Sequence, residues 1–537
     1  MKKLNVVLYG FLLLLTVACN KKAEQDQPVV GEIPTRPNII FIMSDDHAKK
    51  AISAYDKSLI STPNLDRLAN EGALIRNGFV TNSICAPARA AILTGKYSHL
   101  NGLRDNRDRF DGSQLTFPKL FQQAGYHTSI IGKWHLKTEP TGFDYWNVLI
   151  DQGEYYNPRL VEMGDTTRPM GYTTDIITDK ALSILDSVSG DKPFMMMVHH
   201  KAPHRNWMPN TKHLGLFKED LPIPETLFDD YEGRQAAAEQ DLSIDRMYLS
   251  SDMKLREGDY ERETGTGGGP PTANPVRGWE RTMNNWLTEE QRTAWNAHYD
   301  SVNRVFREAN LQGDELTKWK YQRYIKDYLR CIVSVDENVG RLLDYLDEKG
   351  LADNTIVVYT SDQGFYLGEH GWYDKRFMYE ESFGTPMMVR FPAAIKPGTV
   401  NEDLIVNIDF GPTFLDYAGI EVPEEMQGRS FRNIIEGGDN KDWRQAVYYH
   451  YYEYPHGWHS VKKHYGIRKD RYKLIHYYDD IDTWELFDLQ NDPQEMSNLY
   501  DHPEYLDIQD AMRKELYELQ QEMGEHQEII DKTVMKP

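Results

Sequence analysis

The sequence predicts an α/β fold in two parts. A large domain is built on a mostly parallel central sheet, and a smaller C-terminal domain carries an antiparallel sheet and a helix. Three observations lead there. Four short, continuously apolar, β-rich runs are separated by helical stretches, as a parallel sheet covered on both faces requires. Each run stops at polar residues, and ligands of such sheets bind beyond the carboxyl ends of the strands. After about residue 436 the texture changes to closely spaced aromatic runs followed by one helical segment. A chain of 537 residues can bury a large core and has room for more than one domain.

The first segment is a targeting signal. Lys2 and Lys3 precede an apolar stretch from Val6 to Val17, and Ala18 offers the small residue before a cleavage site. The stretch is too short to span a bilayer comfortably. The following Cys19-Asn20-Lys21-Lys22 resembles a bacterial lipoprotein signal, although Thr16 stands where such signals usually carry Leu. The expectation is an exported bacterial protein, periplasmic or on the cell surface, touching the membrane only through a lipid at Cys19. Residues 1–18 are then a signal peptide, 19–35 a polar tether, 36–436 the large catalytic domain and 437–537 the C-terminal subdomain.

The apolar runs follow in order. Asn38–Met43 leads to Asp45-Asp46-His47, and Thr128–Ile131 to Gly132-Lys133-Trp134-His135. Phe194–Val198 leads to His199-His200-Lys201-Ala202-Pro203-His204, and Thr355–Thr360 to Ser361-Asp362-Gln363-Gly364. Ala88–Leu93 reads as a helix with Pro87 in its first turn and Gly95 past its end. Cys85 then sits at a helix N-terminus, where the dipole and free amides favour negative oxygen, with Arg89 one turn on. Residues 205–320 are polar and read as an elaboration outside the main domain, lying over the site. Within them Thr264–Pro271 is a surface loop: no strand precedes it and no helix follows promptly, so it is not a phosphate loop. Tyr321–Leu346 has the spacing of one helix face, on which Cys331 is a core residue. Beyond 436, Ala446–Tyr452, Tyr472–Tyr477 and Trp484–Leu489 read as strands and Ile508–Met523 as a helix. The loop Tyr454–His464 holds His456, Trp458 and His459, residue types suited to sugar recognition.

Cysteine usage and charge narrow the function. After Cys19 only Cys85 and Cys331 remain, which excludes a disulfide framework in an exported chain. The formal charge of −22 argues against nucleic acid and against capture of long polyanions. An anionic substrate must therefore meet a local basic cluster. Asp45, Asp46, Asp362 and Gln363 offer oxygen donors alone, which points to Ca²⁺, or less readily Mg²⁺, rather than Zn²⁺.

Cys85-Ala86-Pro87-Ala88-Arg89 resembles the Cys-x-Pro-x-Arg signature of the type I sulfatases, whose cysteine is oxidised by a separate maturation enzyme to Cα-formylglycine. The resemblance runs over about residues 36–510, with Ala88 where Ser is often found. It implies an alkaline-phosphatase-like large domain and a nucleophile made from Cys85 as an aldehyde hydrate. It implies a metal held by Asp45, Asp46, Asp362, Gln363 and the modified Cys85, and sulfate held by Arg89, Lys133 and Lys375. His204 is the implied general acid for the leaving sugar oxygen, with His200 a possible partner beside it. His135 is the implied base that lets the aldehyde reform. Gly371–Arg376 and the loop around His459 look most like the N-acetylglucosamine-6-sulfatase branch, so Asp374, Arg376 and His459 are the implied sugar contacts. The implied substrate is a sulfated glycan end, from mucin or a glycosaminoglycan fragment. Three alternatives stay open: a formylglycine-dependent phosphonate monoester or phosphodiester hydrolase, a sulfatase for another sugar position, and a non-catalytic carbohydrate-binding lipoprotein. A two-zinc phosphatase would need further His and Asp ligands and no cysteine nucleophile.

Overall fold

The computed structural model describes residues 34–188, 190, 192–256 and 285–533. The signal peptide, Cys19, most of the tether and the 264–271 loop lie outside the described residues.

Ten strands form the large sheet: Asn38–Ser44 (β1), Ala73–Ile75 (β2), His127–Gly132 (β3), Tyr145–Leu149 (β4), Leu160–Glu162 (β5), Asp165–Thr167 (β6), Phe194–His199 (β7), Thr355–Ser361 (β8), Met387–Arg390 (β9) and Thr399–Asn401 (β10). Their order is β10-β2-β9-β8-β1-β7-β3-β4-β5-β6. The middle of the sheet, β8-β1-β7-β3-β4, is parallel throughout. Antiparallel pairs occur on the flanks, where β9 meets β8 and β2, and β5 meets β4 and β6. The four apolar runs are thus four neighbouring strands, and their polar ends gather at one edge.

The strands are apolar on both faces because both faces are covered. Successive side chains of a strand point to opposite sides. Ile40, Ile42, Val198 and Tyr359 join one core with Tyr328, Cys331 and Val335 of the helix Gly313–Glu348. Ile39, Phe41, Met197 and Val358 join the other core, with Phe410 and Phe414 of the helix Phe410–Tyr417. Cys331 is fully buried and Cys85 is likewise a free thiol. The Gly313–Glu348 helix begins two turns before Tyr321, because Asp314, Glu315, Thr317 and Lys318 leave its opening turns with a thin apolar stripe of Leu316 and Trp319.

The C-terminal sheet is an antiparallel meander of Ala446–Tyr451 (β11), His464–Lys469 (β12), Tyr472–Tyr477 (β13) and Thr483–Asp488 (β14), with the helix Leu506–Glu522 packed on it. Three strands were expected, and β12 is the addition. It is buried on both faces up to Arg468, so it lacks the polar alternation of a half-exposed strand. It also contains Gly466, ordinarily a strand breaker. A Cβ at Gly466 would lie 2.4 Å from Leu474 O and 2.6 Å from Met378 Sδ, so the glycine admits a close approach from the large domain. Trp372, Phe377, Met378 and Tyr379 of that approaching segment share a core with Tyr449, Tyr465 and Tyr477. Lys375 sits in the middle of this clamped segment.

Candidate active site

The acidic residues are placed by the ends of β1 and β8. Beyond Ser44 the chain turns with Asp46 at φ +69°, and the Asp45 amide donates to Ala202 O at 3.3 Å. Beyond Ser361 the Asp362 amide donates to Ser44 O at 3.2 Å, and Asp362 Oδ1 accepts from the Asp46 amide at 3.2 Å. Oxygens of Asp45, Asp46 and Asp362 consequently lie within 4.8 Å of one another. All three are fully buried. Burial and the neighbouring carboxylates lift Asp46 to about 6 and Asp362 to about 7. Burial also works against the Asp45 carboxylate, but Lys133, His204, Arg89 and Lys375 together hold it well below the usual range.

Three converging carboxylates in a dry site repel one another, and a divalent cation relieves that repulsion. Gln363 adds its amide: Nε2 donates to Asp46 Oδ1, while the buried Oε1 has no hydrogen-bond partner among the described residues. An orphaned oxygen beside three carboxylates fits a hard cation, and the donor set contains the oxygens expected for one.

Gly364 lets this loop close. A Cβ there would lie 2.1 Å from Glu381 O and 2.3 Å from Gly384 O, backbone atoms that cannot yield. Gly364→Ala should therefore displace Asp362 and Gln363, costing about 1–3 kcal/mol by overpacking. A lowered melting temperature together with weakened metal binding is the expected result; an unchanged variant would remove the glycine from this account.

Cys85 opens the helix Cys85–Thr94, which Gly95 ends at φ +66°. Its side chain is 1% exposed, with Sγ 3.5 Å from Asp45 Oδ1 and 3.8 Å from Gln363 Nε2. Burial pushes its thiol up to about 12. One turn on, Arg89 donates through Nε and Nη2 to Asp362 Oδ2 at 3.0 and 2.8 Å, and through Nη1 to Lys133 O at 2.7 Å. Lys133 Nζ donates to Asp45 Oδ2 and, at 2.5 Å, to Gln152 Oε1. Lys375 Nζ grips both oxygens of Asp46 at 2.6 and 2.7 Å. His204 Nε2 stands 3.8 Å from Asp46 Oδ2, and its Nδ1 is 2.7 Å from Arg205 O. His135 lies with Nε2 3.6 Å from Asp151, and burial beside Lys133 holds it well below the usual histidine range.

The chain around Lys375 is strained. Asp374 and Arg376 have φ of +77° and +97°, and His459 has +74°. Such conformations in non-glycine residues cost roughly 1–3 kcal/mol each and cluster at functional sites. Here they turn three side chains together. Asp374 accepts from Arg376 Nε at 3.1 Å and faces His459 Nε2 at 3.2 Å. Arg376 Nη1 also donates to Glu453 Oε2.

Every residue expected at the site is thus brought to one end of the sheet. Sequence reasoning missed Gln152 and Glu453, whose loops show no motif. It also placed His200 as the partner, whereas His199 is the histidine that touches the site, 3.1 Å from Lys133 O and 3.5 Å from Arg89 Nη1. Both ring nitrogens of His200 lack partners among the described residues. Strand alternation accounts for this: the last residue of β7 points to the Arg89 face and the next one away from it.

A cavity of about 710 Å³ opens on Cys85. Its walls come from the large domain (Lys201, Lys375), from the 205–320 segment (Tyr248, Trp286) and from the small domain (Glu453, His459). The insertion therefore does lie over the site.

A parallel sheet with a carboxylate cluster, a nucleophile position at a helix N-terminus and three cations at its carboxyl edge fits an ester hydrolase of the alkaline-phosphatase type. The sulfatase family profile matches residues 37–420, and an N-sulphoglucosamine sulphohydrolase C-terminal profile matches 368–522. The chain belongs to the sulfatase family and is a sulfuric ester hydrolase. Over 530 residues it is 48% identical to an N-acetylglucosamine-6-O-sulfatase of Bacteroides thetaiotaomicron, covering 97% of this chain and 93% of that one. It is 26% identical over 444 residues to an N-acetylglucosamine-6-sulfatase of Homo sapiens, covering 78% and 67%. Among solved structures, one at 49% identity matches with a TM-score of 0.86 over 91% of this chain and 98% of the other. That protein is in complex with its substrate D-glucosamine-2-N,6-O-disulfate.

Proposed function

We propose that this sulfatase removes the 6-O-sulfate of a glucosamine residue, N-acetylglucosamine above all, at the end of a mucin or glycosaminoglycan fragment. The observation that carries the reading is the meeting of Asp374, Arg376 and His459 around Lys375. The lysine suits the sulfate, while the Asp–Arg pair can both accept from and donate to neighbouring sugar hydroxyls. A cavity of about 710 Å³ walled by both domains suits a chain end rather than the middle of a polymer. Sulfatases use formylglycine and a divalent metal, and here a maturation enzyme would act on Cys85. Calcium suits Asp45, Asp46, Asp362 and Gln363, with the modified Cys85 as a further oxygen donor. The metal, when bound, polarises oxygen and lowers the pKa of a hydroxyl.

The chain's own groups divide the remaining work. Residue 85, as formylglycine, presents a hydroxyl at the helix N-terminus. Arg89, Lys133 and Lys375 neutralise charge on the sulfuryl group as it builds. His204 donates a proton to the departing sugar oxygen. His135, buried and held neutral, accepts a proton at residue 85 as sulfate leaves. The leader and Cys19 fit an exported lipoprotein, which would place the enzyme where glycans arrive; radiolabelled palmitate incorporation tests this directly.

A panel of monosaccharides sulfated at different positions tests the substrate. Turnover of 6-sulfated N-acetylglucosamine is expected to exceed that of galactose sulfates and 2-O-sulfated sugars by at least tenfold. Preference for either of those would end the proposal while leaving a sulfatase. Turnover of a phosphodiester without any sulfate ester would instead favour the phosphonate and phosphodiester alternative.

A further inference from the structure

Five Lys and Arg side chains line the cavity, and four of them are committed to carboxylates. Arg107 pairs with Asp105, Arg205 with Asp252, Lys375 with Asp46, and Arg376 with Glu453. Lys201 is the fifth. It is 5% exposed, and its ammonium has no hydrogen bond or ion pair among the described residues. Its contact is the ring of Tyr155, with Nζ 4.9 Å from the centroid. Its stem is buried while its ammonium reaches the cavity, so a cation without a protein partner among the described residues is presented to whatever fills that space.

Lys201 is distinguished from the sulfate-binding set by having no carboxylate partner among the described residues, whereas Arg89, Lys133 and Lys375 are bonded to Asp362, Asp45 and Asp46. It follows β7 by two residues and precedes His204 by three. Lys201 lines the same cavity as Tyr155, His204 and Arg205. Its Nζ rests against the Tyr155 ring, and the Tyr155 hydroxyl is bonded to the backbone of His204, the implied proton donor to the leaving sugar oxygen. A sulfate monoester carries one negative charge, already faced by Arg89, Lys133 and Lys375. Burial and nearby Lys133 bring Lys201 down to about 8, so it remains largely protonated at neutral pH.

We propose that Lys201 binds a second anionic group of the substrate, an N-sulfate on the same sugar or a carboxylate on an adjoining uronic acid. This rests on the proposed function, since it assumes a 6-sulfated glucosamine in the cavity. Tyr155 supports the lysine from behind: its hydroxyl donates to His204 O at 2.5 Å, so both sit on one rigid wall. An anion arriving there would form a charge-assisted hydrogen bond with the ammonium that no described protein group makes.

The test compares kcat/KM on three substrates: 6-sulfated N-acetylglucosamine, N-sulfated 6-sulfated glucosamine, and 6-sulfated N-acetylglucosamine linked to a uronic acid. In the wild-type enzyme at least one doubly charged substrate is favoured over the first. In Lys201→Met that preference falls at least tenfold, mainly through KM, while Lys201→Arg keeps it within about threefold. The arm that responds identifies the anion. Equal losses on all three substrates, or an unchanged preference, would overturn the assignment. If Lys201→Met does not fold, inhibition of the wild-type enzyme decides: glucosamine N-sulfate or free glucuronate must compete at least tenfold better than N-acetylglucosamine, and parity of all three sinks the proposal. A wild-type enzyme inactive on every 6-sulfated glucosamine would instead strike at the proposed function.

Discussion

Cys85→Ser is expected to abolish turnover, by a factor on the order of 10⁵ or more, while leaving the fold intact. Serine matches the cysteine in shape, and position 85 lies in a helix whose packing involves its alanines and leucine. The chemistry changes completely. An unmodified thiol is already a poor nucleophile there, because burial pushes it up to about 12 and leaves almost no thiolate at neutral pH. Serine offers one hydroxyl where a hydrated formylglycine offers two. It can accept a sulfuryl group once, but no second hydroxyl remains to expel it. The signature is a single turnover followed by arrest, with sulfate retained on the peptide that contains residue 85. Peptide mass analysis of the wild-type protein, produced with a maturation enzyme, should show aldehyde in place of thiol. Steady turnover by Cys85→Ser, or full activity from unmodified cysteine, would contradict this mechanism.

What the sequence reveals and what it conceals follow from how local each feature is. β1, β3, β7 and β8 are legible because each is a continuous apolar run, and the residues after them are site residues because parallel strands deliver their ends to one edge. Cys85 and Arg89 are legible as one helical turn. The strand β12 is hidden because its pattern is set by burial on two sides and by the approach of Met378 to Gly466, which no local window contains. Glu453 meets Arg376 from 77 positions away, and Gln152 meets Lys133 from 19; neither residue carries a motif. Lys201 stands in plain sight two residues after β7. Its lack of a carboxylate partner is a fact of the assembled cavity.

Asp45→Asn is the second large effect, expected to cut activity on the order of 10³-fold and to strip the metal. Asp45 is where the two halves of the site touch: its carboxylate receives Lys133, lies 3.8 Å from Arg89 and stands 3.5 Å from Cys85 Sγ. Those cations keep it ionised where Asp46 and Asp362 are pushed toward neutrality, so it is the strongest anion of the cluster. Asparagine preserves volume and removes the charge. It leaves Arg89, Lys133 and Lys375 facing two carboxylates, and a cation entering that field gains much less. Metal content by elemental analysis should fall from one per chain to well below it. The thermal readout separates metal loss from misfolding. In the wild-type enzyme, saturating calcium stabilises by roughly 2.7 kcal/mol at a hundred times its Kd, a gain that chelation removes. In Asp45→Asn the melting temperature should no longer respond to calcium or chelator, although the chain still melts cooperatively. A variant that keeps its metal and its activity, or a wild-type enzyme fully active with stoichiometric zinc, would overturn the assignment of these oxygens to a hard cation.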